Sequence, residues 1–236
     1  MMYEIFDIDG TLTKPGKDLW LLTTRSLVED KVLFDREVSI WKEKISKGNC
    51  VYKESRKMMK KGLELFHKNI DGEKVKVQAK EIVVGIIQEK HYFPEAFEYI
   101  RRKTKRGILP IFSTTNYEEG GIGFVDALIQ FGLLERHAKG WPVVSGTKIN
   151  WKNRKIVHFN MGEGKIKGIA EKLGIGIIAL QEKVKSTFGD DPMGNDCGIF
   201  RIAKKGYVIK NPKNSKLKLK PGQEHVNWVE LLKRPN

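Results

Sequence analysis

The sequence predicts an α/β protein, an open sheet with polar residues at the carboxyl ends of its strands and a helical segment inserted behind the first strand. Short apolar runs at residues 3–8, 108–112 and 206–209 have the length of buried strands. Stretches with helical spacing separate them. Acidic groups follow two strand patterns, at Asp7 and at Asp190, which is where open α/β sheets bind ligands.

The first strand pattern delivers Asp7 and Asp9 just before Gly10. In an extended chain, side chains two apart point the same way, so the two carboxylates are expected to converge at the strand's end. Like charges that close share a proton or are neutralised by a cation, and Mg²⁺ suits one or two carboxylates together with phosphate oxygens and water. An Asp-x-Asp-Gly match alone more often caps a helix or shapes a turn.

The full octet Phe6-Asp7-Ile8-Asp9-Gly10-Thr11-Leu12-Thr13 is more specific. It resembles the first motif of the haloacid dehalogenase superfamily in the form carried by its phosphatases. The resemblance implies a Rossmann-like three-layer α/β/α core with a parallel sheet. It also implies that Asp7 attacks phosphorus and that Asp9 protonates the leaving group.

Lys14-Pro15-Gly16 reads as a linker, and helical spacing follows at Leu19, Leu22 and Val28, then at Val38, Trp41 and Ile45. A third helix is expected around Met58, Met59, Leu63 and Phe66, and a fourth around Val75, Ile82, Val83, Ile86 and Ile87. Their methionines and aromatics read as core packing. A helical insertion beside Asp7 could serve as a lid that excludes water. In the resembled superfamily, a helical cap at this position marks the branch that includes phosphoserine phosphatase. Residues 15–90 are therefore expected to form the cap, and residues 1–14 and 91–236 the catalytic core.

Pro94 suits the first turn of a helix that ends in the basic run Arg101-Arg102-Lys103-Thr104-Lys105-Arg106 and Gly107. The apolar run at 108–112 then closes on Ser113-Thr114-Thr115-Asn116 and resembles the second superfamily motif, whose hydroxyl binds the phosphoryl group. Ser113 is the first candidate and Thr114 the alternative. Pro110 is a departure, because a central strand does not favour proline. A helix is expected over 120–132 and a β-hairpin over 141–159, turning at Lys152-Asn153-Arg154.

Gly162-Glu163-Gly164-Lys165 opens the next helix, which stops at Gly174. A lysine at a helix start is unfavourable unless something negative lies beside it. The resemblance makes Lys165 the third motif, steadying Asp7 and the phosphoryl charge, with Lys167 the neighbouring candidate. Gly189-Asp190-Asp191 resembles the fourth motif, with Asp190 a direct metal ligand. The usual second aspartate is displaced: Gly194 and Asn195 occupy its places, leaving Asp191 or Asp196 as the supporting acid. A last strand is expected at 206–209, a basic tail segment at 213–220, and a short docked helix at 226–232.

The chain has 236 residues, 40% apolar and 31% charged, a globular composition with material for one large core. No run of eighteen apolar residues and no signal peptide is evident, so a cytoplasmic location is expected. Cys50 and Cys197 suggest neither a disulfide framework nor a zinc site. A net charge of +15 draws anionic partners.

Together these features predict a Mg²⁺-dependent phosphatase acting on a small phosphomonoester through an aspartyl-phosphate. Mg²⁺ is expected on Asp7, Asp190 and the backbone carbonyl of Asp9, with Ser113 and Lys165 on the phosphoryl oxygens. Phosphoserine phosphatases usually carry serine where Gly10 stands, so strict phosphoserine specificity is not expected. One alternative is a phosphatase of nucleic-acid ends, suggested by Lys53, Arg56, Lys57, Lys60 and Lys61. Another is a non-enzymatic anion-binding module on the same fold.

Overall fold

The computed structural model describes residues 1–136 and 141–234. Its centre is β1 (Met2–Phe6), flanked in parallel by β2 (Ile108–Tyr117) and β5 (Val184–Gly189). Beyond β2 lie β3 (Val143–Asn150) and β4 (Lys155–His158); beyond β5 lie β6 (Lys205–Ile209) and β7 (Gln223–Val226). The sheet order is β4-β3-β2-β1-β5-β6-β7, parallel except for the β3–β4 hairpin. All the parallel strands end on one edge, and the loops that leave that edge carry Asp7, Asp190 and their partners.

Two features of β2 bear on the site. It runs ten residues, to Tyr117, so Ser113 to Asn116 form its carboxyl-terminal part. Its pairing with β3 begins at Ile111, after Pro110, and shifts register between Ser113 and Tyr117. That irregularity leaves room for the polar side chains of this stretch to bond outside the ladder.

Both faces of the sheet are covered. Phe6, Phe112 and Phe188 face a layer built from α5 (Pro94–Thr104), α6 (Glu118–Gln130) and α10 (Trp228–Lys233). Tyr3, Ile5, Ile111 and Val184 face α7 (Glu163–Leu173), α8 (Ile177–Lys183) and α9 (Cys197–Ile202). Phe6, Phe188 and Trp228 stack with ring centroids 4.6 and 5.3 Å apart along the series. The Trp228 indole also donates to Thr11 O at 2.9 Å, tying α10 to the turn that follows Asp9.

Four helical stretches follow the first turn: α1 (Leu19–Leu27), α2 (Lys31–Ser46), α3 (Val51–Leu65) and α4 (Gly72–Gln88). Asp18, Asp30 and Asp71 cap α1, α2 and α4 by accepting from backbone N–H groups. The segment leaves and rejoins the core through a short antiparallel bridge at Thr13 and Tyr92. Leu19 of α1 and Ala79, Val83 and Ile87 of α4 pack in the same cluster as Phe6 and Phe112. α4 lies close on α6, where a Cβ at Gly123 would stand 2.4 Å from Lys76 O. α2 and α3 project beyond them. Their apolar residues join Trp20, Tyr117, Phe159 and Met161 in a third cluster beside the strand ends.

Glu4, 1% exposed, belongs to the central strand β1 and lies on its Phe6 face. Tyr99 donates to Oε1 at 3.2 Å, while Oε2 has no hydrogen-bond partner among the described residues. Burial raises the Glu4 pKa from 4.5 to about 7, with Lys103 pulling the other way. A carboxyl that holds its proton more tightly in the fold contributes stability fully below pH 4.5 and loses it as the pH rises through about 7. The loss amounts to roughly 3 kcal/mol. Glu4→Gln keeps the acceptor for Tyr99 and cannot ionise. In urea unfolding from pH 4.5 to 8 it is expected to match the wild type at the acid end and exceed it in stability at the alkaline end. Parallel curves for the two proteins would contradict this account.

Candidate active site

The site is organised around a fully buried ammonium. Lys165 enters at the first turn of α7, and its Nζ donates to Asp7 Oδ1 and Asp196 Oδ1, each at 2.6 Å, and to Ser113 O at 3.3 Å. The cation at a helix start thus has the negative neighbours that its position demands. Gly164 makes the approach possible, because a Cβ there would lie 2.1 Å from Phe159 O. Lys167 is exposed and takes no part in this contact.

The acidic loop after β5 is longer than the resembled pattern, and its own hydrogen bonds explain how it closes. Asp191 accepts from the backbone N–H groups of Gly194 and Asn195 at 3.0 and 2.7 Å, which turns the chain back. Asp196 then reaches Lys165 with one oxygen and accepts from Asp190 N and Asp191 N, both at 3.2 Å, with the other. Asp190 is held by Asn211, which donates to Oδ2 at 3.0 Å, and by Asn214, which donates to its carbonyl at 2.8 Å.

Asp7, Asp190 and Asp196 each place a carboxylate oxygen within 4.8 Å of the others, a group that could hold a metal ion. Both Asp196 oxygens are already engaged. Among the described residues, the side-chain donor to Asp7 Oδ2 is the Thr11 hydroxyl at a long 3.4 Å, so Asp7 and Asp190 retain more free acceptor capacity than Asp196. Gly10 adjoins this group with φ +77°, and a Cβ there would lie 2.4 Å from Asp190 Oδ2. Any larger residue at position 10 is strained and pushes on Asp190.

Asp9 departs from the expected geometry. β1 ends at Phe6, so residues 7–9 are not extended strand and alternation does not aim Asp9 at Asp7. Its carboxylate instead accepts from Leu19 N at 2.8 Å, at the start of α1, and it is not a member of the three-carboxylate group. Ser113 lies buried on the Lys165 side of β2. The Thr114 hydroxyl accepts from Asn116 N at 3.1 Å, and its methyl lies where a Cβ on Gly121 of α6 would touch it.

Sequence reasoning gave no role to several polar residues at the site: Asn160, Asn195, Asn211 and Asn214. Asn160 donates to Thr114 O, Ser145 O and Ser113 Oγ at 2.7, 2.9 and 3.3 Å. Asn195 accepts from the Thr115 hydroxyl, joining the acidic loop to β2. The one available signal was proximity in sequence, since Asn160 precedes Lys165 and Asn211 follows a predicted strand.

The charges move each other's protonation. Burial, then repulsion from Asp196, raises the Asp7 pKa to about 7. Burial, then Asp196 and Asp7, raises that of Asp190 to about 8. Asp9 is held well above the usual carboxylate range by loss of solvation and by Asp18 and Asp7. Burial alone would lower the Lys165 pKa, but Asp196 and Asp7 outweigh it and raise it.

Removing one partner of a buried pair leaves an uncompensated charge, which typically costs about 3–5 kcal/mol. Lys165→Met is expected to lose stability on that scale in urea unfolding at neutral pH. Adding Asp7→Asn to it should recover part of the loss. An unchanged midpoint in Lys165→Met would show that the bridge contributes nothing.

No protein-family profile matches this sequence, and no curated protein does. Solved structures match along nearly the whole chain. A Bordetella pertussis Tohama I protein of unknown function aligns with TM-score 0.67 at 15% identity, covering 97% of this chain and 99% of that one. A phosphoserine phosphatase, determined as a phospho-aspartyl intermediate analogue, aligns with TM-score 0.55 at 17% identity, covering 98% and 97%. A cytosolic 5′-nucleotidase IIIB bound to cytidine aligns with TM-score 0.59 at 14% identity, covering 91% and 76%. The chain therefore shares the fold of these solved structures, phosphoserine phosphatases among them: a mostly parallel α/β sheet with a helical segment inserted after the first strand.

Proposed function

We propose that the chain is a Mg²⁺-dependent phosphatase that hydrolyses a small phosphomonoester through an aspartyl-phosphate. The observation that carries this reading is the buried bridge from Lys165 to Asp7 and Asp196, with Asp190 alongside at the sheet's carboxyl edge. A carboxylate whose charge is steadied by a buried ammonium is a plausible nucleophile toward phosphorus.

Asp7 attacks phosphorus and forms an acyl phosphate as the bond from phosphorus to the ester oxygen breaks. Asp9 gives its proton to that oxygen, a role that suits a carboxyl whose pKa is held high. Asp9 then takes a proton from water, which attacks phosphorus and releases inorganic phosphate and free Asp7. Ser113 and Lys165 donate to the phosphoryl oxygens, and the bond from Asn116 N to the Thr114 hydroxyl favours Ser113 over Thr114 for this task.

The donor set fits a hard divalent ion. It is all oxygen and opposes three carboxylates with one ammonium. Mg²⁺ would be held by Asp7, Asp190 and the Asp9 carbonyl, and when bound it supplies positive charge that offsets repulsion between nucleophile and phosphate. Asp196 is the supporting acid, orienting Lys165 and the loop, while Asp191 shapes the loop through its amide bonds. Residues 15–90 form the cap that encloses the substrate. The strained fit at Gly10 supports a substrate other than phosphoserine, because the serine usual there has no room beside Asp190.

The test is a panel of phosphomonoesters comprising sugar phosphates, mononucleotides, phosphoserine, a 5′-phosphorylated oligonucleotide and an aryl phosphate, each with and without Mg²⁺. Hydrolysis is expected only with the ion, and Asp7→Asn should lower it at least about a thousand-fold. Activity retained in Asp7→Asn would remove the proposed nucleophile. In the same assay, Asp196→Asn should raise the Mg²⁺ concentration for half-maximal rate at least about ten-fold, and Asp191→Asn less. The reverse ranking would exchange their roles.

A further inference from the structure

Asn160 lies between β4 and α7 and is fully buried. Its backbone N–H and both ends of its amide are engaged with β2 or β3. Its N–H donates to Thr147 Oγ1 at 3.1 Å, and its Oδ1 accepts from Ser145 Oγ at 3.2 Å. Its Nδ2 faces Thr114 O at 2.7 Å, Ser145 O at 2.9 Å and Ser113 Oγ at 3.3 Å. Gly168 of α7 keeps the space open, since a Cβ there would stand 2.6 Å from both Asn160 Oδ1 and Ser145 Oγ.

The chemistry of these partners removes the ambiguity of the amide. Carbonyl oxygens only accept, so the two short contacts require the NH₂ end, not the oxygen, to face Thr114 O and Ser145 O. Ser113 Oγ therefore meets a donor edge. It can accept from that edge but cannot donate to it, so the hydroxyl hydrogen must point elsewhere. Without Asn160, the carbonyls of Thr114 and Ser145 would each lose a donor and could compete for that hydrogen.

We propose that Asn160 is the positioning residue that sets the direction in which Ser113 donates, occupying the competing carbonyls so that the hydroxyl is kept for the phosphoryl group. This rests on the reading of Ser113 as a phosphoryl-binding hydroxyl. Asn160 acts through Ser113, so its loss should matter only while the hydroxyl is present.

A double-mutant cycle of Asn160→Ala and Ser113→Ala tests this, using steady-state hydrolysis of p-nitrophenyl phosphate at saturating Mg²⁺ and near-ultraviolet circular dichroism to check folding. Asn160→Ala is expected to lower kcat about 10- to 100-fold with the Mg²⁺ requirement unchanged, and to cost less than about two-fold in the Ser113→Ala background. Asn160→Asp, which offers an acceptor to the hydroxyl, should be at least as impaired. Losses that multiply in the double variant, or a kcat within two-fold of wild type for Asn160→Ala, would overturn the proposal. A silent Ser113→Ala would instead overturn the reading of Ser113 and the proposal with it. Should Asn160→Ala not fold, Ser145→Ala loosens the same amide by removing the donor on Oδ1. It is expected to show a several-fold loss of kcat that likewise vanishes in the Ser113→Ala background, and a multiplying loss there would overturn the proposal.

Discussion

The structure depends on one placement, a lysine ammonium withdrawn completely from water at the carboxyl edge of the sheet. Such a charge is tolerable only with close opposite charges and satisfied hydrogen bonds. Lys165 has both, through Asp7, Asp196 and the Ser113 carbonyl. The bridge joins three segments far apart in sequence: the end of β1, the start of α7 and the loop after β5. Attraction between them works against the repulsion that would otherwise spread the carboxylates apart.

The surrounding packing serves this placement. Gly164 lets the first turn of α7 approach Phe159, which brings Lys165 within reach of Asp7. The stack of Phe6, Phe188 and Trp228 holds β1 beside β5, so the two acidic strand ends are neighbours. The same Trp228 bonds Thr11 O, making the turn after Asp9 part of the core rather than a free loop. Beyond β6, Asn211 and Asn214 hold Asp190 from the opposite side. Preorganisation of this kind keeps charged groups in place before any ligand arrives.

Much of this was legible in the sequence, and the exceptions have physical causes. The helices α1 to α4 follow apolar spacing, and the hairpin of β3 and β4 follows its turn residues. α8 was missed because its isoleucines, Ile177 and Ile178, are exposed and so carry no amphipathic signal. β7 was missed because it is four residues long and reads Gln-Glu-His-Val, a polar composition suited to a sheet edge. α9 is a single six-residue helix following Asp196 and too short to show a period. At the site, Asp7, Lys165 and Asp190 stood out by residue type and order. Asn160 did not, because a lone asparagine gains meaning only from carbonyls that β2 and β3 bring to it.

Asp9 shows how one residue can make a capping contact and still be kept apart from ordinary carboxylates by its surroundings. An Asp-x-Asp-Gly motif suggests either a helix cap or a catalytic acid, and here the carboxylate does accept a hydrogen bond from Leu19 N at the start of α1. That bond fixes one oxygen and orients the group. Burial, Asp18 and Asp7 nonetheless hold its pKa high, so their combined effect exceeds that of the helix start, which favours the charged form. A carboxyl that is oriented and holds its proton more tightly than usual suits the general-acid role proposed for Asp9. The capping contact thus orients the group, while burial and the acidic neighbours favour its protonated form. Because that contact comes from the first helix of the inserted segment, that segment takes part in orienting Asp9.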